Sequence, residues 1–371
     1  MALTLQQVAK HVGRDTHIAP IDLTLETGSV NVLLGLTLAG KTSLMRLMAG
    51  LDKPSAGRVL VDGQDVTGMA VQKRDVAMVY QQFVNYPSLT TYDNIASPLR
   101  LARVEKSEID RRVRAEAERL RIDGLLDRLP AELSGGQQQR MAMARALVRE
   151  ANLIMLDEPL VNLDYKLREA LREDLPRVFA GRNSIVVYAS TDPWEALSLG
   201  GTTIAMHEGR IVQAGPAPEV YAAPATTHVG QIFSDPPMNF GTGRIDNGRV
   251  LLGEDDVGAV PAHLAELADG QYTFGLRPEH IEIHDPAHHS SRIDTHVDVT
   301  EVTGSETFIH FIYHDQPWVS VETGVVRMEA GESVAFGFSA DNLFAFDTDG
   351  MRLVSPESSA PTDGDGQKEA S

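Results

Sequence analysis

The chain has 371 residues and 42% hydrophobic content, enough for about two to three domains with proper cores. Its 33 Lys and Arg stand against 52 Asp and Glu, a net charge of −19 that speaks against a nucleic-acid-binding surface, and it has no cysteine. Disulfides, thiolate metal sites and cysteine nucleophiles are thereby excluded. No run approaches the ~18 apolar residues of a membrane span, and Met1–Lys10 lacks the charged-then-apolar layout of a secretory signal.

Residues 3–34 read as strands and turns: Thr4–Val12, a polar turn at Gly13-Arg14-Asp15, then Ile18–Leu25 and Val30–Leu34. The last is short, apolar and rich in β-branched residues, as a buried parallel strand should be. It runs into Gly35–Ser43, GLTLAGKTS, whose spacing Gly35-x4-Gly40-Lys41-Thr42 is the P-loop pattern. Leu44–Ala49 then reads as a helix closed by Gly50. Strand, loop and helix together make this a nucleotide site: inward backbone N–H groups around an anion, a lysine for the terminal phosphates, a hydroxyl for magnesium.

A loop over Leu51–Gly57 leads to a hairpin from Arg58 to Asp65 turning at Asp62-Gly63, and Val76–Tyr80 is another buried strand ending at Gln81. From Pro98 to about Leu129 the pattern becomes helical, with Ile109, Val113, Ala117 and Leu120 on one face. Arg111, Arg112 and Arg114 alternate there with Glu116 and Glu118, a solvated helix face. Ser134 is placed to cap a helix running to about Arg149. Leu153–Leu156 is a purely apolar strand ending in Asp157-Glu158-Pro159. A helix over Leu163–Val178, a strand over Ser184–Tyr188, a helical turn at Glu195–Leu199 and strands at Thr202–His207 and Arg210–Gln213 follow. Strands alternating with helices predict a parallel or mixed α/β sheet. Past Ser234-Asp235-Pro236-Pro237 the texture changes to short strands and turns from Asn239 to about Val354, an all-β domain. Pro356–Ser371, rich in Ser, Pro, Gly and Asp, is expected to be a disordered tail.

The order of motifs narrows the class. Gln81 ends a strand, LSGGQQQR occupies Leu133–Arg140, LIMLDEP occupies Leu153–Pro159, and Asn162-Leu163-Asp164 follows at once. This closely resembles the ATPase subunits of ABC transporters, where these are the Q-loop, signature, Walker B and D-loop motifs. The resemblance implies an α/β P-loop NTPase domain of ABC type over residues 1–235, with a helical subdomain at about 82–150. An all-β, OB-like regulatory domain over 236–355 and the tail at 356–371 would follow. It implies ATP and Mg²⁺ as cofactors. Gly35, Leu38, Ala39, Gly40, Lys41, Thr42 and Ser43 would cradle the phosphates, and Thr42, Gln81 and Asp157 would organise magnesium. Glu158 would polarise the attacking water. Ser134, Gly135, Gly136 and Gln137 would act on ATP held by a second ATPase chain, head to tail.

Phe274–His280 and Gly304-Ser305-Glu306-Thr307 resemble the C-terminal domain of carbohydrate-type importer ATPases, of which the maltose and glycerol-3-phosphate importers are members. Gln82–Pro87 and Tyr92–Leu99 resemble the same group, in which this surface receives the membrane permease. The resemblance implies a peripheral subunit on the cytoplasmic face of the cell membrane. It would bind transmembrane permease subunits and a second ATPase, would serve an extracytoplasmic solute-binding protein indirectly, and would have no nucleic-acid partner. The Thr37–Ser43 variant looks most like glycerol-importer ATPases.

Three residues depart from that pattern, all in the chain's own nucleotide site. Thr191 stands where a switch histidine is expected, and losing one transition-state donor typically costs ~3 kcal/mol, or about 10²–10³ in rate. Val12 stands where an aromatic ring would stack on adenine, a contact worth roughly 1–3 kcal/mol. Leu38 replaces a P-loop glycine and strains the loop by about 1–2 kcal/mol if its φ is positive. The signature and Asp157-Glu158 are intact, which favours one half of an asymmetric ATPase pair. A homodimer relying on Glu158 and Mg²⁺, and a nucleotide-binding regulatory subunit with little hydrolysis, are the alternatives. His284, His288, His289, His296, His310 and His314 show no tight ligand motif and read as surface histidines.

Overall fold

A computed structural model of the chain describes residues 1–82, 84–161, 163, 165–283 and 292–356. Phe83, the Asn162 and Asp164 of the expected D-loop, His284, His288, His289 and all of the expected tail beyond Pro356 lie outside the described residues. The chain divides into two units, Met1–Ala217 and a second beginning at Pro218.

In the first unit, β1 (Ala2–Val12), β2 (Asp15–Glu26), β4 (Ala56–Val61) and β5 (Gln64–Asp65) form an antiparallel sheet in the order β2-β1-β4-β5. The second sheet contains β3 (Val30–Leu34), β6 (Val76–Val79), β7 (Leu153–Asp157), β8 (Ile185–Ser190), β9 (Thr202–His207) and β10 (Arg210–Pro216), ordered β10-β9-β3-β8-β7-β6. Its pairs are parallel except β9–β10. Every residue of β7 and β8 is buried, which is why both read as unbroken apolar runs rather than alternating ones. β8 continues two residues past its expected end, so it delivers Thr191 directly. The helix after β3, α1 (Lys41–Ala49), closes at Gly50 with φ 75, as expected.

Helices α2 (Thr91–Leu101), α3 (Lys106–Arg119) and α4 (Gly135–Leu147) make the helical subdomain. The helical region starts earlier than Pro98, which lies inside α2. Proline there removes the N–H that would bond the Asn94 carbonyl, and the Ser97 hydroxyl donates to that oxygen instead at 2.8 Å. Arg111 and Arg112 pair with Glu108 and Arg114 with Asp110 along α3, the solvated face the charge pattern describes. α5 begins at Tyr165 and ends at Phe179, and α6 spans Pro193–Leu199. Among the described residues no helix is long and apolar enough to cross a membrane.

The second unit is almost wholly β. Strands at Asn239–Asp246, Arg249–Leu252, Asp255–Ala259, Gly270–Leu276, Phe344–Phe346 and Arg352–Val354 form one sheet, and Ile293–Val302, Glu306–Tyr313, Gln316–Thr323 and Ser333–Phe336 another. Between them lies a core that includes Phe274, Phe311, Trp318, Phe336 and Phe338. The segment 218–235, expected in the first domain, belongs here. Arg277 is 1% exposed, lies over the Tyr221 ring at 3.6 Å, and donates to the carbonyls of Phe233 (3.0 Å) and Tyr221 (2.6 Å).

Candidate nucleotide site

Sheet order decides which side chains meet. β3, β8, β7 and β6 are neighbours and parallel, so the P-loop, Thr191, Asp157-Glu158 and Gln81 leave from the carboxyl ends of four adjacent strands. β8 sets the register of both flanks: Gly35 N donates to Ser190 O at 3.3 Å and Glu158 N to Ala189 O at 3.1 Å. These ends open on a cleft of about 850 Å³ lined by Leu38, Ala39, Gly40, Lys41, Thr42, Ser43, Gln81, Glu158 and Thr191.

Gly40 caps α1 with φ 100, and a Cβ there would lie 2.9 Å from Ile18 Cδ1. The positive φ favours glycine, and a side chain would also crowd the Gly209 backbone, whose Cα lies 3.2 Å from that Cβ position. Lys41 is 3% exposed; its ammonium donates to Gly35 O (2.6 Å) and Leu36 O (3.1 Å) and pairs with Glu158 Oε1 at 3.0 Å. Thr42 Oγ1 donates to Asp157 Oδ1 at 2.9 Å, and Gln81 Nε2 donates to Glu158 Oε2 at 3.3 Å. Burial raises the Asp157 pKa, against the lowering effect of the Thr42 hydrogen bond, and the neighbouring Glu158 charge adds to the rise. Thr42 and Asp157 thus present a hydroxyl and a carboxylate oxygen side by side. That donor set fits magnesium, which takes one or two carboxylates with the remaining positions left to water and phosphate.

Ser134, Gly135, Gly136 and Gln137 are not among the residues lining this cleft. They open α4, where Ser134 and Gln137 cap each other: Gln137 N donates to Ser134 Oγ (3.3 Å) and Ser134 N to Gln137 Oε1 (3.0 Å). The Gln139 amide donates to the Pro159 carbonyl, tying this helix to the end of β7. Of the three departures, Leu38 has φ 70 and is 94% exposed, so the conditional strain applies. Thr191 lines the cleft and Val12 does not. Sequence reasoning missed His17, Val161, Glu208 and Arg210, which also line it. Of the histidines expected on the surface, His314 is exposed and stands 3.1 Å from Asp255, whereas His310 is half-buried, 3.5 Å from Glu301.

Residues 18–161 match the ABC transporter family and residues 274–346 match the TOBE domain. Over 368 residues the chain is 36% identical to the sn-glycerol-3-phosphate import ATP-binding protein UgpC of Cupriavidus pinatubonensis, covering 95% of this chain and 99% of that protein. The chain belongs to the ABC transporter family. It is similar also to the trehalose/maltose import ATP-binding protein MalK of Thermococcus litoralis, 35% identical over 92% of this chain and 96% of that one. A solved structure of the dimeric ATP-binding cassette MJ0796, in a post-hydrolysis state bound to ADP and Pi, matches with a TM-score of 0.52. It is 25% identical and covers 58% of this chain and 98% of its own. The chain is therefore an ABC ATPase with a TOBE domain in its C-terminal part.

Proposed function

We propose that this ABC ATPase powers uptake of a small polyhydroxylated solute, a sugar or glycerol phosphate, through an importer whose permease subunits it engages at the cytoplasmic face of the membrane. The observation that carries the reading is the meeting of Lys41, Thr42 and Glu158 in one cleft, with Asp157 bonded to Thr42 behind it, in a chain similar over nearly its whole length to two import ATP-binding proteins.

In this reading Lys41 exchanges Glu158 for the terminal phosphates, and the freed Glu158 carboxylate orients the attacking water and takes its proton. Gln81 holds Glu158 in line. Thr42 and Asp157, with Gln81, would hold Mg²⁺, which would supply charge neutralisation on the phosphate oxygens. Ser134, Gly135 and Gly136 present the free N–H groups of a helix N-terminus to nucleotide bound by a second ATPase subunit.

The pair is asymmetric. Leu38 strains the P-loop, Val12 brings no ring to the cleft, and Thr191 lines it with a side chain that cannot carry a positive charge. The signature helix and its cap are intact, so this subunit lends its signature to a more active partner. The second reading, a regulatory subunit with little hydrolysis, draws on the same three residues.

Phosphate release from the purified chain over a concentration series, beside Thr191→His, separates these. Near silence, a gain with Thr191→His, and restoration by a second importer ATPase support the asymmetric pair. A rate rising faster than linearly with concentration shows that paired copies of this chain suffice. Silence in all three arms favours the regulatory reading.

A further inference from the structure

Lys41, Thr42 and Glu158 furnish one part of the cleft, and no Phe, Tyr or Trp is among its lining residues. Another part of its wall is made by Thr16 and His17 of β2 and by Glu208, Gly209 and Arg210, where β9 turns into β10. The turn is fixed on both sides: Gly209 N donates to Ala39 O and Gly209 O accepts from Ala19 N, each at 3.0 Å. Gly209 has φ 72, and a Cβ there would lie 2.3 Å from His17 O. Arg210 is therefore held beside His17 at the rim of the cleft by backbone bonds to the P-loop and to β2.

His17 and Arg210 are the planar groups of this wall, and among the described residues neither side chain is bound to another group of the protein. Glu208, in contrast, lies 4.0 Å from His207 Nε2. A guanidinium is weakly hydrated and stacks on aromatic faces, and imidazole and guanidinium planes both serve as platforms for nucleobases. Every base has a π face, so a stack of this kind is tolerant of base identity.

We propose that His17 and Arg210 hold the base of the bound nucleotide, in place of the ring absent at Val12, and that the chain takes purine nucleoside triphosphates with little discrimination between bases. The assignment rests on the reading of the cleft as a nucleotide site.

The test is calorimetric binding of ATP, GTP and inorganic tripolyphosphate to the full chain without added magnesium, beside His17→Ala, Arg210→Ala and the double variant. ATP and GTP are expected within about tenfold of each other, and each single variant loses about tenfold on both. Tripolyphosphate, which has no base, binds equally to all four proteins. Adding Val12→Tyr to Arg210→Ala restores ATP binding. Unchanged ATP binding in the double variant, or a parallel loss of tripolyphosphate binding, overturns the assignment. A preference of the unmodified chain for ATP over GTP beyond about a hundredfold overturns the weak discrimination. If the unmodified chain binds none of the three ligands, the nucleotide reading itself fails, an outcome distinct from the others.

Discussion

Lys41 Nζ lies 3.0 Å from Glu158 Oε1, an ion pair between the P-loop and the end of β7 whose side chains are only 3% and 16% exposed. Glu158 is therefore occupied on both oxygens, by Lys41 and by the Gln81 amide, and in the proposed function a bound phosphate draws the ammonium away. Removing the carboxylate alone tests this exchange. Glu158→Gln is expected to lower phosphate release by about 10²–10⁴-fold. It leaves ATP binding intact or tighter, because the lysine no longer has a counter-charge to leave. Parallel phosphate-release assays and ATP titrations check both halves, and hydrolysis within a few-fold of the original would assign the base role to another group.

Leu38 sits at φ 70 with its side chain 94% exposed, so its replacement forfeits almost no packing. Leaving a left-handed residue relieves about 1–2 kcal/mol, while glycine returns roughly 0.5–1 kcal/mol of chain entropy to the unfolded state. Leu38→Gly is expected to stabilise the chain by about 0.5–1 kcal/mol. Leu38→Ile is expected to destabilise it, since branching at Cβ worsens the same clash. Denaturant unfolding of the two variants distinguishes backbone strain from any effect of lost apolar surface, which would carry the same sign in neither case.

The parts of the site readable in the sequence are those that one strand end and its loop determine locally. Gly35–Ser43 follows a buried apolar strand and Asp157-Glu158 closes another, while Gln81 follows a short apolar strand that is mostly half-buried, contrary to its expected burial, so residue type and spacing reveal them. His17 and Arg210 are exposed residues far apart in the chain, and they line the same cleft because the backbone bonds of Gly209 to Ala39 and Ala19 fix the turn between β9 and β10 against β2 and the P-loop; no periodicity marks them. Pro98 misled for a related reason. Its cost to α2 is offset by the Ser97 hydroxyl, a compensation that no propensity records. The second unit was legible as β texture, but the place of residues 218–235 within it depends on Arg277 reaching the Phe233 and Tyr221 carbonyls.

Arg277 gives the third prediction. Its guanidinium is buried without a carboxylate in direct contact, its pKa lowered by burial, and it is balanced by two carbonyls and the faces of Tyr221 and Phe344. Arg277→Met leaves both carbonyls without that donor, at about 1–3 kcal/mol for each. Trp318 is buried in the same unit. In a Trp194→Phe background its fluorescence is expected to report unfolding destabilised by about 2–6 kcal/mol. ATP binding by the first unit is expected to stay unchanged. Arg277→Lys recovers less than half of the loss, because an ammonium lacks the planar fork.

Glu195 makes stability depend on pH. It is buried on α6, accepts from Ser190 Oγ at 2.7 Å, and its pKa is pushed from an ordinary 4.5 to about 7. Burial is the main cause, with the Asp192 charge adding to it and the Ser190 hydrogen bond opposing it. Between those two values the folded chain binds more protons than the unfolded one, so raising the pH costs stability across that window and no further above it. The full cost is about 3 kcal/mol. Glu195→Gln keeps an oxygen for Ser190 and removes the charge. It is expected to match the original below about pH 4.5 and to exceed it by up to about 3 kcal/mol above pH 7. Denaturant unfolding at a series of pH values measures the difference; equal slopes through pH 5–7 in the two proteins would show that Glu195 is already ionised in the folded state.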